Sequence, residues 1–348
     1  MVETEGNGAL LETRGLSRHF RIGGLSGHLL HAVEDVDLTI HEREIVALVG
    51  ESGSGKSTLA RLLAMVYRPT GGQILFRGRS VNSLRRRRDL LSYRGQVPMV
   101  FHDPYSSLNP THTIGYTVLR GLKLHRTDLG RAARRAEAER VLEAVGLVPA
   151  GSVMERYPYE LSGGQRQRVG FAQALSYHPR LVLADEPVSM LDVSIRIGLL
   201  NVMTHLRDSE GVSVLYITHD IASARYVSDR VMVMYAGQVV EQGPTDEVLH
   251  QPVHPYTRLL LSAVPDPRAE ISITSADIGE PPRVIDPGEG CRFRWRCPLA
   301  EEICSKVTPR LEAASPGHLA ACHVSAPAQK AAVGSPGSQP SADGVIPP

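Results

Sequence analysis

Apolar positions along the chain fall into two kinds of run. Residues 31–49 read as two strands, and the second, within EIVALVG, is a short unbroken apolar run rich in β-branched residues, as expected of a strand buried on both faces. ESGSGKST interrupts it, and LARLLAMVY then has helical apolar spacing. QILFRG and VPMVF are further strand candidates. From about residue 115 the character changes: RAARRAEAERVLEAVGL carries an apolar i, i+3, i+4 stripe among Ala, Glu and Arg, so a helical insertion is expected over about 103–178. RLVLADEP and SVLYITHD return to buried strands, and RVMVMYAGQVVEQG reads as a strand pair around a glycine turn. Alternating helix and strand predicts an α/β fold with a parallel-rich sheet.

After about residue 265 the periodicity ends. Residues 266–323 form a proline-rich C-terminal extension that holds every cysteine of the chain: Cys291, Cys297, Cys304 and Cys322. Residues 324–348 are Ala, Pro, Ser and Gly, too poor in apolar surface to order themselves, and are expected to be a disordered tail. There is no internal repeat. The formal net charge of +1 gives no basic field, so nucleic acid is not an expected partner. Arg85, Arg86, Arg87 and Arg88 are the one dense basic cluster and are expected to be solvated. No apolar run approaches the ~20 residues that span a bilayer. The N-terminal stretch lacks a secretory hydrophobic segment, so the chain is expected in the cytoplasm, where thiols stay reduced.

Candidate chemistry begins at Gly50-Glu51-Ser52-Gly53-Ser54-Gly55-Lys56-Ser57, a full match to G-x-x-x-x-G-K-[ST] between a strand and a helix. Backbone N–H groups of such a loop surround phosphate oxygens, and the helix adds its positive end. Lys56 would reach the β and γ phosphates, and Ser57 would offer its hydroxyl to Mg²⁺. Asp185 and Glu186 close the strand LVLAD; Asp185 can hold Mg²⁺, and Glu186 can orient or deprotonate an attacking water. ELSGGQRQRV places two glycines after Ser162 at a helix start, a second anion site. One nucleotide does not easily fill two cradles of one subunit. A head-to-tail pair resolves this, with Ser162, Gly163 and Gly164 capping the nucleotide held by the other subunit.

In the order of these motifs, residues 10–265 resemble the ATP-binding subunit of an ABC transporter. The resemblance implies a P-loop NTPase core with a helical subdomain, an ATPase domain over 1–265, and ATP with Mg²⁺ as its ligands. By matching position it implies that Phe20 stacks on adenine and that Gly50 to Thr58 form the phosphate loop. It makes Ser162, Gly163, Gly164 and Gln165 the signature core and Asp185 and Glu186 the acidic pair. Ser189 to Asp192 become the D-loop, and His219 the switch histidine. FHDPYSSLNP and HPYTRLLLSAVPDP resemble the branch that imports oligopeptides and dipeptides, with nickel importers as near relatives. Implied partners are a second ATPase, a different chain in most of that branch, two membrane permease subunits and an extracytoplasmic solute-binding protein. The implied location is the cytoplasmic face of the membrane. A soluble ABC ATPase of iron–sulfur assembly or another non-transport process is the alternative, but such relatives usually lack this extension.

Two features ask for more than the ATP site. By themselves the four cysteines admit free thiols, zinc or an iron–sulfur cluster; gaps of five, six and seventeen residues lack the close pair usual in structural zinc sites. The resemblance implies a [4Fe–4S] cluster, with zinc as the alternative. Arg292, Arg294 and Arg296 would then offset the cluster's charge, and His318 and His323 are spare candidates expected at the surface. The second feature is His102, which stands where the resemblance places a catalytic glutamine. An imidazole is a poorer Mg²⁺ ligand than an amide oxygen, and once protonated it would repel the metal. A site built on this chain's own phosphate loop is therefore expected to hydrolyse more slowly or couple less tightly.

Overall fold

Short apolar runs that alternate their faces explain the centre of the molecule. In the computed structural model, which describes residues 8–23, 27–103, 108–263 and 284–325, strand β3 (Ile45–Val49) is buried along its whole length. Ile45, Ala47 and Val49 pack into one core, Val46 and Leu48 into another on the opposite face. Strands β7 (Leu181–Asp185) and β8 (Ser213–Thr218) divide in the same way. Burial on both faces fits a parallel sheet covered by helices. Strand β9 (Arg230–Tyr235) lies parallel to β3, β3 to β8, β8 to β7, and β7 to the short β6 (Met99–Val100). β10 (Gln238–Pro244) returns antiparallel beside β9. One core also holds helix α1 (Lys56–Leu63) and a second, antiparallel sheet of order β2-β1-β4-β5. That sheet is built from β1 (Ala9–Ile22), β2 (His28–His41), β4 (Gly71–Phe76) and β5 (Arg79–Ser80).

Helix α2 (Arg87–Gln96) starts within the basic cluster, and all four of those arginines are exposed, as expected. The segment expected as a helical insertion is helical: α3 (Ile114–His125), α4 (Arg131–Ala144), α5 (Ala150–Glu155) and α6 (Gly163–Leu175). α4 buries Ala138, Val141 and Leu142, the anticipated i, i+3, i+4 stripe. Helix α7 (Val193–Asp208) covers the same face of the central sheet, and α8 (Ile221–Val227), α9 (Thr245–His250) and α10 (Pro255–Ser262) follow.

The C-terminal extension is built onto this body. After a single helical turn, α11 (Ile303–Lys306), strands β11 (Glu312–Ser315) and β12 (His318–Ala320) extend the large sheet, with Glu241 of β10 opposite Ala320. Phe293 is buried in the main core, edge-on to Tyr235 at 5.2 Å. The extension thus has an apolar anchor and a strand pairing besides any metal. His318 is the correction to the surface expectation: it is buried, with Nε2 2.7 Å from Oε1 of the fully buried Glu241. Both termini and residues 264–283 lie outside the described residues, so the disordered-tail expectation falls there.

Candidate functional site

The loop between β3 and α1 needs glycine where it turns. A Cβ on Gly50 would sit 2.2 Å from the Met234 carbonyl oxygen, and one on Gly55, at φ +106°, 2.3 Å from that of Ala32. Only glycine lets this backbone pass so close to its neighbours. Ser54 is buried and its carbonyl accepts the Gly237 N–H at 2.8 Å, which ties the loop to the β9–β10 turn. Lys56, the first residue of α1, is buried, and its Nζ donates to the Gly50 and Glu51 carbonyls at 2.8 Å each. Burial pushes the Lys56 pKa down, while Glu186, Asp185 and Glu51 act against that. The ammonium is therefore pinned across the mouth of the loop, opposite two carboxylates.

Ser57 donates its hydroxyl to Oδ1 of Asp185 at 2.8 Å, joining the loop to the end of β7. Burial raises the Asp185 pKa, and the Ser57 hydrogen bond lowers it. A buried carboxylate beside a hydroxyl offers two hard oxygen donors, so the pair fits Mg²⁺. Glu186 follows at φ +48°, an uncommon value for a residue with a side chain. Its N–H donates to the Ile217 carbonyl at 3.0 Å, and its carboxylate lies 3.1 Å from Nδ1 of His219. Ser52, Gly53, Gly55, Lys56, Ser57, Thr58 and Glu186 all line one cavity of about 420 Å³, large enough for a nucleotide.

Other expected site residues sit differently. Phe20 packs edge-on against Tyr67 at 5.4 Å under the Arg18 guanidinium, while Ile22, Leu30 and His31 line that side of the cavity. Ser162 caps α6: its hydroxyl accepts the Gln165 N–H at 3.2 Å, and Gln165 Oε1 accepts the Ser162 N–H at 3.0 Å. Ser162, Gly163, Gly164 and Gln165 are not in the cavity lining, so one chain does not bring its two cradles together. Gly164 is tight, because a Cβ there would lie 2.2 Å from Ile195 Cγ2. Asp192, the cap residue of α7, is exposed. His102 is exposed just beyond β6 and, when charged, favours ionised Asp185.

One set of contacts was not foreseen from sequence. Arg296, in the cysteine extension, makes two hydrogen bonds to the Glu51 carboxylate in the phosphate loop, at 2.7 and 2.8 Å. The Glu51 N–H donates to the Tyr256 hydroxyl at 2.8 Å. Arg292 donates to the Ala236 carbonyl and lies 3.6 Å from Glu34. Arg292 and Arg296 therefore point at the ATPase body; Arg294 alone donates to a cysteine's backbone, the Cys291 carbonyl, at 3.0 Å. The expectation that all three serve the cysteines is corrected accordingly. His323 bonds the Val307 carbonyl through Nε2 at 2.9 Å. His254 is buried as the cap of α10, its Nδ1 accepting the Tyr256 N–H at 3.0 Å, and burial pushes its pKa down to about 4.

None of the four cysteines is in a disulfide. Burial pushes the Cys291 thiol up to about 11 and raises Cys297, and the other three cysteines act on Cys291 in the same direction. The four sulfurs are thus electrostatic neighbours.

Comparison with known proteins follows these features. The family described as ABC transporter matches residues 33–189, and the oligopeptide/dipeptide transporter C-terminal region matches 240–304. The oligopeptide transport ATP-binding protein AppF of Bacillus subtilis (strain 168) is 41% identical over 322 residues, covering 90% of this chain and 97% of AppF. YkfD of the same organism is 40% identical over 318 residues, covering 90% and 95%. Among solved structures, the ATP-binding cassette MJ0796, dimeric and bound to ADP and Pi, superposes with TM-score 0.60 at 28% identity, over 68% of this chain and 98% of that one.

Proposed function

We propose, because this chain belongs to the ABC transporter family, that it is the ATP-hydrolysing subunit that powers import of oligopeptides or dipeptides through a membrane permease. The observation that carries the chemistry is a single cavity lined by Lys56, Ser57 and Glu186, with Asp185 hydrogen-bonded to Ser57 and His219 beside Glu186 just behind that lining. Its loop amides and Lys56 hold the triphosphate. Ser57 and Asp185 would hold Mg²⁺, which draws charge from the phosphate oxygens. Glu186 orients the attacking water and accepts its proton as the water oxygen bonds to the γ-phosphorus and ADP leaves. His219 steadies the Glu186 carboxylate from the exposed side. Ser162, Gly163 and Gly164 complete the site of a second ATPase, a different chain by the habit of this branch. The pair works at the cytoplasmic face, beneath two permeases fed by an extracytoplasmic solute-binding protein.

The cysteine extension is read as the seat of a [4Fe–4S] cluster held by Cys291, Cys297, Cys304 and Cys322. The cluster would supply four thiolate bonds that staple the extension. What supports a shared centre is that Cys297, Cys304 and Cys322 all act on the Cys291 thiol, so the four sulfurs are gathered in one place.

The transport assignment is tested by isolating the chain from membranes with its native partners. Co-purification of permease subunits and peptide-stimulated ATP hydrolysis are expected. A chain recovered without any permease, with an ATPase rate indifferent to peptide, would refute it.

A further inference from the structure

Outside the ATP machinery, the strand pair β1–β2 carries a group that neither the motifs nor the family explains. His19 and His31 are directly opposite in the register, their rings stacked with centroids 3.9 Å apart. Both point a ring nitrogen at the same carboxylate oxygen of Glu34: His19 Nε2 at 2.9 Å, and His31 Nδ1 in a short contact. The three ligand atoms all lie within 4.8 Å of one another, and among the described residues this is the one such set of three. The side chains are only 20–25% exposed. His31 also lines the cavity that holds the phosphate loop.

We propose that His19, His31 and Glu34 form a binding site for a divalent transition-metal ion of the zinc class, at the rim of the nucleotide cleft. Two imidazoles and a carboxylate are a donor set for Zn²⁺, Cu²⁺ or Ni²⁺ rather than Mg²⁺. Metal–ligand bonds of ~2.0–2.2 Å place tetrahedral ligands roughly 3.3 Å apart, so small outward shifts from the observed contacts admit the ion. In the metal-free protein each imidazole donates its N–H to Glu34; on metal binding each neutral ring takes the tautomer with its proton on the other nitrogen, which frees the lone pair of His19 Nε2 and His31 Nδ1 for the ion. Three protein ligands leave a fourth position for water or for a group entering the cleft. Arg292, 3.6 Å from the same carboxylate oxygen, opposes the ion's charge and limits its affinity, but it also donates to the Ala236 carbonyl and so keeps a partner when the metal binds. The site is distinct from the cysteine centre in ligand type, which makes it separable by spectroscopy.

The test uses full-length protein and Co²⁺ as the probe. Imidazole–carboxylate ligation gives visible d–d bands without sulfur-to-cobalt charge transfer, and the cysteine centre is common to wild type and variants, so the site is read from their difference spectrum. The wild type is expected to show those visible bands in excess of His31→Asn and Glu34→Gln, with any sulfur charge-transfer bands equal in all three. Their affinity at this site is expected to fall more than about 100-fold, beyond the 10–100-fold typical of changes around a ligand. Glu34→Gln preserves shape and hydrogen bonding, so with unchanged circular dichroism its loss reports ligation and not folding. Visible Co²⁺ bands no stronger in wild type than in the two variants, or equal Co²⁺ stoichiometry by dialysis in all three, would overturn the site.

Discussion

Arg296→Met isolates the strut between the cysteine extension and the phosphate loop. The Arg296 and Glu51 side chains are 10% and 25% exposed, joined by two charge-assisted hydrogen bonds of 2.7 and 2.8 Å. Glu51 holds the Arg296 guanidinium above its ordinary pKa. Exposed pairs are worth about 0.2–1 kcal/mol, and hydrogen bonds to charged groups about 1.5–3 kcal/mol. With one partner a quarter exposed, a coupling energy of about 2 kcal/mol is expected. The effect should reach the nucleotide by two routes of the same sign. An unpaired Glu51 carboxylate repels phosphate. Loosening Glu51 also disturbs the carbonyl that holds Lys56 and the N–H that donates to Tyr256. A loss of 1–2 kcal/mol is roughly 5–30-fold in affinity. The assays are a double-mutant cycle of Arg296→Met and Glu51→Gln by urea unfolding, and titration of Arg296→Met with a fluorescent ADP analogue. Coupling below about 0.5 kcal/mol together with unchanged affinity would refute the strut.

Four further outcomes are expected. Glu186→Gln should bind ATP yet turn over at least about 100-fold more slowly, measured by phosphate release, since proton transfer to a positioned base contributes about 10²–10⁴-fold. Anaerobically purified protein should be brown, with iron and acid-labile sulfide, and Cys297→Ser should bleach it; colourless protein with stoichiometric zinc would decide for the other metal. His102→Gln should raise solute-stimulated ATPase a few-fold in the assembled transporter; an unchanged rate and unchanged coupling to transport would remove any role for His102. His254 has a folded pKa of about 4, below the ordinary 6.5, so the unfolded chain binds the extra proton between these values. Stability from this group is full above about pH 6.5 and is lost as pH falls toward 4, on the order of 3 kcal/mol, with Glu241 opposing the shift and Arg258 adding to it. His254→Asn, which keeps a capping acceptor, should show a shallower fall in urea stability over that range than wild type.

The central strands were legible because β3, β7 and β8 are buried on both faces and read as unbroken apolar runs. β1 was not, because register shifts near Thr13, Leu16 and Arg18 break its alternation, with Gly15 at φ +57° among them. The phosphate loop, Asp185 and Glu186 were legible because their chemistry is local in sequence. Partnerships across long separations left no local trace. Glu51 meets Arg296 at a separation of 245 residues, and Glu241 meets His318 at 77. The extension looked like an appendage because β12 is three residues long and its anchor is a single Phe293. Arginine beside cysteine suggested charge compensation, yet nothing in the sequence could say that Arg292 and Arg296 turn toward the ATPase body.

The central claim is that ATP hydrolysis at this cavity drives peptide across a membrane, and uptake by reconstituted vesicles measures it. The complex of this chain with its partner ATPase, permeases and binding protein is placed in liposomes loaded with ATP and Mg²⁺, and labelled oligopeptide is supplied outside with the binding protein. Accumulation above the external concentration is predicted for wild type, with Glu186→Gln reduced to the level seen without ATP. Accumulation that survives Glu186→Gln, or none with wild type despite ATP turnover and a peptide-loaded binding protein, would contradict the account.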